Sequence, residues 1–139
     1  MTYMSFRDVP DLHLMFRRRR YVESLPMRPD AVRGHLDGLI LAVLEDGPRH
    51  GYAIIEALQA RSGGALDLPT GTVYPALRRL ERAALLSGSW STVGGRERRT
   101  YTLTRAGRHA LGRQRAEWNE FSAVMDAVLR PARAAGEAS

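Results

Sequence analysis

The spacing of hydrophobic residues in the middle of the chain predicts a series of short helices. Between residues 36 and 44, apolar side chains recur every three or four positions, as on the buried face of a helix. Asp46-Gly47-Pro48 ends this helix, because glycine and proline interrupt helical structure. A second series with the same spacing occupies residues 52–60 and stops at Ser62-Gly63-Gly64. Each helix is therefore expected to bury one face in a common core.

A third helix is predicted over residues 68–81. Its apolar edge has the spacing i, i+4, i+7 and consists of Val73, Leu77 and Leu80. Thr70 or Thr72 is expected to cap its start through a side-chain oxygen, and Pro75 is expected in or near the first turn, where a missing N–H costs little. Tyr74 and Arg78 lie on the opposite face. That face suits a DNA major groove, although an ordinary amphipathic helix has the same pattern.

The hydrophobic period changes from 3.6 to 2 after residue 86. Residues 87–93 and 98–103 are two strand-like runs, and Gly94-Gly95-Arg96-Glu97 joins them as a turn. Three helices separated by short turns are typical of a helix-turn-helix core, and a hairpin that follows such a core directly is the wing of a winged helix. Arg96, Arg98 and Arg99 lie at or beside the turn, where they are expected to reach DNA phosphates or a minor groove. Alternatively, the arginines of this turn are simply exposed to solvent and do not contact DNA.

A long final helix is predicted from Thr104, which can cap it, to about residue 129, with Pro131 marking its end. It carries a heptad-like seam in which two sets of residues repeat every seven positions: Leu111, Trp118 and Met125, and then Gln114, Phe121 and Val128. Such a seam exposes a sizeable apolar patch in a monomer. Pairing with a second copy about a two-fold axis is the simplest way to cover it, so we expect a homodimer.

The two ends of the chain differ from this pattern. Residues 1–33 contain the run Arg17-Arg18-Arg19-Arg20 and a breaker-rich link at residues 25–29. This extension is either an arm that lies along DNA or a mobile, solvated segment, with a short extra helix at residues 10–16. Residues 131–139 are expected to be a disordered tail. The remaining boundaries place a DNA-binding domain at 34–103 and a dimerisation helix at 104–130.

Composition narrows the class of protein. The 139-residue chain has a formal net charge of +6, and all 21 of its basic residues are arginine. A basic protein suits an anionic polymer such as DNA, although a GC-rich coding sequence produces the same arginine bias. The absence of cysteine excludes disulfides and thiolate metal sites. No apolar run is long enough to span a bilayer and no signal peptide is recognisable, so we expect a soluble, cytoplasmic protein.

Residues suited to catalysis are scattered. The four histidines lack any spacing typical of a metal site or a general base, and they are His13, His35, His50 and His109. The glycine pairs at residues 63–64 and 94–95 lack the strand–loop–helix context of a nucleotide site. We therefore expect neither an enzyme nor a bound cofactor or metal, and each histidine is expected to be a surface or turn residue.

Several linked motifs together resemble the PadR family of bacterial transcription regulators. They are Leu39-Ile40-Leu41, Gly47-Pro48, His50-Gly51-Tyr52-Ala53-Ile54, Gly71-Thr72-Val73-Tyr74-Pro75-Ala76-Leu77, Arg79-Leu80-Glu81, Gly94-Gly95-Arg96, Arg99-Thr100-Tyr101-Thr102-Leu103-Thr104 and Ala106-Gly107. The resemblance covers about residues 34–130. It implies a mainly α fold with a small β-hairpin, in which a winged helix-turn-helix domain precedes a long dimerisation helix. A C-terminal part that consists of this one helix is typical of the smaller subgroup of the family.

The resemblance also implies which residues approach double-stranded DNA. On the third helix these are Thr72, Tyr74, Arg78 and Arg79, with the hydroxyl of Thr70 at the helix entry, and on the wing they are Gly95, Arg96 and Arg98. Alternatively, Arg79 and Glu81 stabilise the fold, as braces between its elements, and do not contact DNA. One departure from the family concerns Ala83-Ala84, which stands where a glycine usually ends the third helix, and leaves the form of that turn open.

The resemblance gives Trp118 two readings. It packs the dimer seam with Phe121, or it binds a planar aromatic effector at the dimer centre, as in small multidrug-sensing members of the family. The leading hypothesis is a homodimeric repressor that binds a palindromic promoter site. The alternatives are a small-molecule sensor that releases DNA when a multidrug or phenolic-type ligand binds near Trp118, and a winged helix used only for protein interaction.

Overall fold

The computed structural model describes residues 34–132, and it confirms the predicted fold class. The helices are α1 (Leu36–Val43), α2 (Gly51–Arg61), α3 (Thr70–Arg82) and α4 (Arg105–Leu129), and the strands are β1 (Arg49–His50), β2 (Leu86–Val93) and β3 (Arg96–Leu103). The arginine-rich extension at residues 1–33 and the tail beyond residue 132 lie outside the described residues.

The core forms where the first three helices, the base of the hairpin and the start of α4 meet. The predicted edge of α3 lies at its centre, since Val73 is 0% exposed and Leu80 is 2% exposed. Ile40 of α1 and Ile54 of α2, both 0% exposed, pack into the same cluster. Burial of one apolar edge fixes the rotation of α3 about its own axis, and this determines which side chains face outward.

The small sheet has three strands rather than the predicted two. β3 lies in the middle, antiparallel to β2 on one side and to β1 on the other. β1 was missed because a strand of two residues is too short to show a period of two. The turn also differs from the prediction: Gly94 and Gly95 alone form it, with φ of 58° and 79°, and β3 already begins at Arg96. Two residues with positive φ match the twist of a tight hairpin.

The start of α3 differs from the sequence prediction. Pro69 is the N-cap residue and there is no side-chain cap, so the expected capping role of Thr70 or Thr72 is wrong. Pro75 is the sixth residue of the helix and therefore lies in its second turn, beyond the position where proline is best tolerated. Its missing N–H would otherwise bond to the carbonyl of Gly71, and this residue is exposed to solvent.

The end of α3 is closed by an alanine in the left-handed region. Ala84 has a φ of 64°, the N–H of Leu85 donates to the carbonyl of Leu80 (3.0 Å), and the N–H of Ala84 donates to that of Glu81 (2.9 Å). This pair of hydrogen bonds is the Schellman motif, in which glycine usually occupies the left-handed position. The turn therefore keeps its usual geometry even though the expected glycine is an alanine.

The start of α4 is attached to this turn. The hydroxyl of Thr104 accepts a hydrogen bond from the N–H of Gly107 (2.9 Å), which confirms the predicted cap, and donates to the carbonyl of Ala84 (2.8 Å). Gly107 must be small, because a Cβ there would overlap the carbonyl oxygen of Leu85. The end of α3 and the beginning of α4 are thus held together.

Further along, α4 packs against α1. Arg115 donates to both carboxylate oxygens of Glu45, at 2.8 and 3.0 Å, and this contact holds the pKa of Glu45 below its ordinary value. Leu111 is only 3% exposed and belongs to the core of its own chain. This burial argues against its predicted role in dimerisation, because a buried side chain offers little surface to a second copy.

The left-handed alanine gives a test of the α3 turn. We expect Ala84→Gly to raise the free energy of unfolding by about 1 kcal/mol, because glycine removes the steric cost of the positive φ and this gain exceeds its added freedom in the unfolded chain. Denaturant unfolding at one protein concentration measures the change.

Ala83→Gly is the matched control for this variant. Ala83 has a φ of −81°, which alanine adopts without strain, so glycine there should lower the free energy of unfolding by about 0.5–1 kcal/mol. If both glycines destabilised the protein equally, the left-handed conformation of Ala84 would be excluded.

Candidate nucleic-acid interface

An open cleft of about 810 Å³ lies between α3 and the wing, which is the β2–β3 hairpin, with the start of α2 at its edge. Five arginines and two glutamates line it, namely Arg78, Arg82, Arg96, Arg98, Arg99, Glu81 and Glu97. Arginine side chains in this excess favour an anionic ligand, and their planar guanidinium groups suit phosphate oxygens and guanine edges.

The structure brings together half of the residues predicted to bind DNA. Tyr74 and Arg78 line the cleft from α3, and Arg96 and Arg98 line it from the wing. Three other predicted residues are exposed but lie outside the lining, and they are Thr70, Thr72 and Gly95. The first two are at the start of α3 and the third is in the wing turn, so they lie at the ends of the elements that form the cleft.

Arg79 points away from this cleft. Its guanidinium donates to the carboxylate of Asp37 on α1, and the two groups form an ion pair that is about half exposed. This geometry favours the second of the two roles predicted for Arg79, that of a brace between α3 and α1. We therefore leave Arg79 out of the candidate interface.

Tyr74 anchors α3 against the start of α2. A Cβ added to Gly51 would lie only 2.8 Å from the Cε1 atom of Tyr74, so the ring lies directly on the bare backbone of the glycine. The ring remains 37% exposed. The same side chain thus fixes the position of α3 against α2 and lines the cleft.

His50 connects the start of α2 with the wing. Its Nδ1 atom accepts from the N–H of Ala53 (3.3 Å), and its Nε2 atom lies 2.8 Å from Nη1 of Arg98. Both neighbours are donors, whereas a neutral imidazole has one acceptor nitrogen, so only one of these hydrogen bonds forms at a time. The sequence predicted only a surface or turn residue here. Its position just before the first residue of α2 was the available signal, since that is the N-cap position.

A second connection joins α3 to the wing. The carboxylate of Glu81 accepts from Nη2 and Nε of Arg99, the latter at 3.3 Å, and this contact raises the pKa of Arg99. The guanidinium carbon of Arg99 in turn lies 5.3 Å from the ring centroid of Trp90, within the range of a cation–π contact. Sequence reasoning gave Glu81 a bracing role as one alternative, but it assigned no role to Trp90.

Tyr101 lies at the inner end of the cleft. Its side chain is 8% exposed, and burial raises the pKa of its phenol. The hydroxyl therefore stays protonated at neutral pH and adds no negative charge to the site. The electrostatics of the cleft are set by its arginines.

A second cleft, of about 610 Å³, lies between α1 and α4. Trp118 is 51% exposed beside it, with the edge of the His35 ring at a centroid distance of 5.7 Å and the ring of Phe121 at 5.9 Å. Such a half-open aromatic surface fits flat apolar molecules. The cleft is distinct from the arginine-rich one, since no residue is common to both linings.

Beyond Trp118, one side of α4 is apolar and uncovered. Phe121 is 53% exposed, Met125 is 41% exposed and Val128 is 76% exposed, as predicted for a seam without its partner. Val124 and Leu129 widen this strip and were not part of the predicted seam. The uncovered strip is therefore wider than the predicted seam.

The described residues hold no sign of a metal or membrane site. No cluster of three or more His, Asp or Glu side chains suited to a metal ion occurs within residues 34–132. In the same range, no helix is both long and apolar enough to cross a membrane. Within the described residues, the arginine-rich cleft is the site with the clearest chemistry, and its excess of guanidinium groups suits a polyanion.

Comparison with known proteins agrees with this chemistry. The family model described as "Transcriptional regulator PadR-like family" matches residues 40–113. A transcriptional regulator of Mycobacterium tuberculosis is 39% identical over 92 residues, which are 66% of this chain and 79% of the relative.

Two solved structures show the same fold. A PadR family transcription regulator from Clostridium difficile R20291 is 32% identical with a TM-score of 0.62, and the match covers 68% of this chain and 98% of that one. A PadR family transcriptional regulator from Eggerthella lenta DSM 2243 is 27% identical with a TM-score of 0.64, and the match covers 91% and 97% of the two chains. With its winged helix and arginine-rich cleft, the chain therefore belongs to the PadR-like family and is a DNA-binding regulator of transcription.

Proposed function

We propose that the protein is a repressor that binds a palindromic promoter site as a homodimer in the cytoplasm. The observation that carries this proposal is the cleft between α3 and the wing. In this proposal α3 is the recognition helix, and its Tyr74 and Arg78 face Arg96 and Arg98 of the wing. One element is shaped to enter a groove and the other to hold the flanking backbone. A bound dimer would exclude other proteins from the promoter, which is the simplest route to repression.

The recognition helix supplies the contacts with bases in this proposal. Its apolar edge is buried, and Arg78 and Arg82 project from the exposed side. A 13-residue helix is about 20 Å long and fits a major groove. The exposed hydroxyls of Thr70 and Thr72 at its start are placed to donate to phosphate oxygens as the helix enters.

The wing supplies contacts with the DNA backbone. Arg96 follows the two-glycine turn directly, and Gly95 has no side chain to hold phosphate away from its N–H. These contacts carry little sequence information but fix the register of the protein on the duplex. Their arginines release counterions from DNA, so binding should weaken steeply with salt.

The homodimer is proposed on the exposed strip of α4. Trp118, Phe121, Met125 and Val128 carry the contact, while Leu111 is excluded by its burial. A two-fold axis would place two identical recognition helices in successive major grooves on one side of the DNA. The half-sites would then lie about 10 bp apart, or a simple multiple of that distance.

The double variant Tyr74→Ala with Arg78→Ala tests the recognition helix. We expect affinity for a duplex selected from a random pool to fall to the non-specific level, since each specific contact is worth about 1–3 kcal/mol. Fluorescence anisotropy at matched salt measures the affinity, and circular dichroism and sedimentation check the fold and the dimer.

Arg113→Ala is the control for loss of charge, because Arg113 is exposed on α4 and lies outside the cleft. It should keep affinity close to that of the wild type. If the double variant bound with wild-type affinity, the assignment of α3 to the DNA interface would be wrong.

A second candidate function is that of a sensor whose effector binds beside Trp118. The specific observation that favours it is the 610 Å³ cleft lined by His35 and the half-exposed indole of Trp118, with the ring of Phe121 on the indole outside the lining. In a dimer on the same strip, two such indoles would approach each other, and a planar molecule between them would alter the relation of the two recognition helices.

Tryptophan fluorescence tests the sensor. The chain has two tryptophans, so Trp90→Phe leaves Trp118 as the only fluorophore. We expect saturable quenching of this variant by at least one member of a panel of planar cationic and phenolic compounds, and weaker DNA binding in its presence. Trp118→Phe is the control, and its remaining tryptophan should not respond to the same compound. An intact dimer that no compound quenches would count against the effector site.

A further inference from the structure

Trp90 faces the same side of the wing as the recognition helix. Alternate residues of a strand share a face, so Trp90 lies on the face of Leu86 and Gly88. Leu86 is 2% exposed in the core, and Gly88 lies beneath the Glu81–Arg99 ion pair. Trp90 continues this line outward and lines the arginine-rich cleft.

The indole is exposed but it is held in place. It is 65% exposed, although a tryptophan of this size is normally well buried in a folded protein. Arg99 lies opposite it in the strand register and stacks against its ring at 5.3 Å. A large apolar ring that is supported from below and left open above is suited to contact with a partner.

The support beneath Trp90 extends to α3. Arg99 is bound through two nitrogens to Glu81, and both side chains are only about a quarter exposed. Gly88 makes the fit possible, because a Cβ there would lie 2.8 Å from Nε of Arg99 and 2.9 Å from a carboxylate oxygen of Glu81. The recognition helix therefore sets the position of Arg99, and Arg99 sets the position of the indole.

The same ion pair changes what Arg99 offers to DNA. Its charge is matched by that of Glu81, whereas Arg96 at the tip is exposed and is free to meet a phosphate. Arg99 is thus better suited to support Trp90 than to release counterions. The pairing also accounts for Glu81 in a cleft proposed for a polyanion: its carboxylate holds Arg99, and Arg99 neutralises a charge that would otherwise repel the DNA backbone.

We infer that Trp90 is a DNA-contact residue whose indole packs against the deoxyribose and phosphate backbone beside the groove entered by α3, with Arg99 and Glu81 as its positioning residues. This inference rests on the proposed binding of DNA in the cleft. It assigns the wing an apolar, sequence-independent contact in addition to its arginines.

The test uses Trp118→Phe in the full chain, so that Trp90 is the only tryptophan. The probe is a mixed-sequence duplex of about 30 bp at low salt, which is long enough for two half-sites and needs no knowledge of the operator. We expect a saturable change in Trp90 emission and protection from iodide quenching. In the Trp90→Phe variant, Trp118 should show neither effect.

Affinity and its salt dependence separate the apolar contact from the ionic ones. Trp90→Ala should weaken binding about tenfold at fixed salt, the size of loss typical of an aromatic contact, and should leave the slope of log affinity against log salt unchanged. Arg96→Ala should instead reduce that slope by about 0.9 for each protomer that contacts the duplex, because each loses one phosphate contact. Val93→Ala is the matched control, since Val93 is an exposed apolar residue on the opposite face of the same strand, and it should bind like the wild type.

Glu81→Gln tests the positioning role. It keeps the shape of the side chain but frees the charge of Arg99. The salt slope should therefore become steeper by up to about 0.9 for each bound protomer, and Trp90 should become more accessible to iodide in the free protein. A residue that only supported the fold would change neither quantity.

The outcomes distinguish the two proposals. Absence of salt-dependent binding of the duplex by the wild type would overturn the proposed function and this inference together. Normal binding by the wild type, with unchanged Trp90 emission and wild-type affinity in Trp90→Ala, would overturn the inference alone. If Trp90→Ala failed to fold, the emission and iodide results on the folded Trp118→Phe protein would still decide the question.

Discussion

Burial of the apolar edge of α3 is the constraint on which the rest of the molecule depends. Val73, Leu77 and Leu80 lie in the centre of the core, and a helix with one fixed edge has no freedom to rotate. Its remaining side chains are thereby divided between two surfaces. Arg79 faces α1 and pairs with Asp37, whereas Arg78, one residue earlier, faces the wing. Adjacent arginines of identical chemistry acquire different roles because successive positions on a helix point about 100° apart.

The elements around α3 hold it through contacts of different kinds. Tyr74 lies on the backbone of Gly51, the Glu81–Arg99 pair crosses to the wing, and the α3 turn bonds to Thr104. An ion pair that solvent still reaches, such as Glu81–Arg99, contributes only modest stability on its own. The value of these three contacts is geometric, since each joins α3 to a different element. Together they define the angle between α3 and the hairpin. That angle decides whether both parts meet one duplex.

The helices, the wing and the cap at Thr104 could be predicted from the sequence, because these features depend on local periodicity and on residues close in the chain. Sequence reasoning missed what depends on distant partners. β1 exists only because β3 pairs with it, and Trp90 acquires a position only through Arg99 and, beyond it, Glu81.

The heptad pattern of α4 was correct as a pattern but could not distinguish a core from an interface. Leu111 meets α1 within its own chain, and Phe121, ten residues later, extends beyond it. The α3 turn shows the reverse case, since backbone hydrogen bonds keep its shape when the preferred residue is absent.

The attachment of α4 to the α3 turn makes the last helix a lever. Its first residue follows Thr104, which is bonded to Ala84 at the end of the recognition helix, and its 25 residues extend for about 37 Å. In a dimer built on the far half of that helix, the near end would carry the recognition helix with it. A rotation of a few degrees where two copies touch would therefore change the separation of the two recognition helices by ångströms, with no change inside either domain. Spacing on the DNA would be a property of α4, and affinity for each half-site a property of α3.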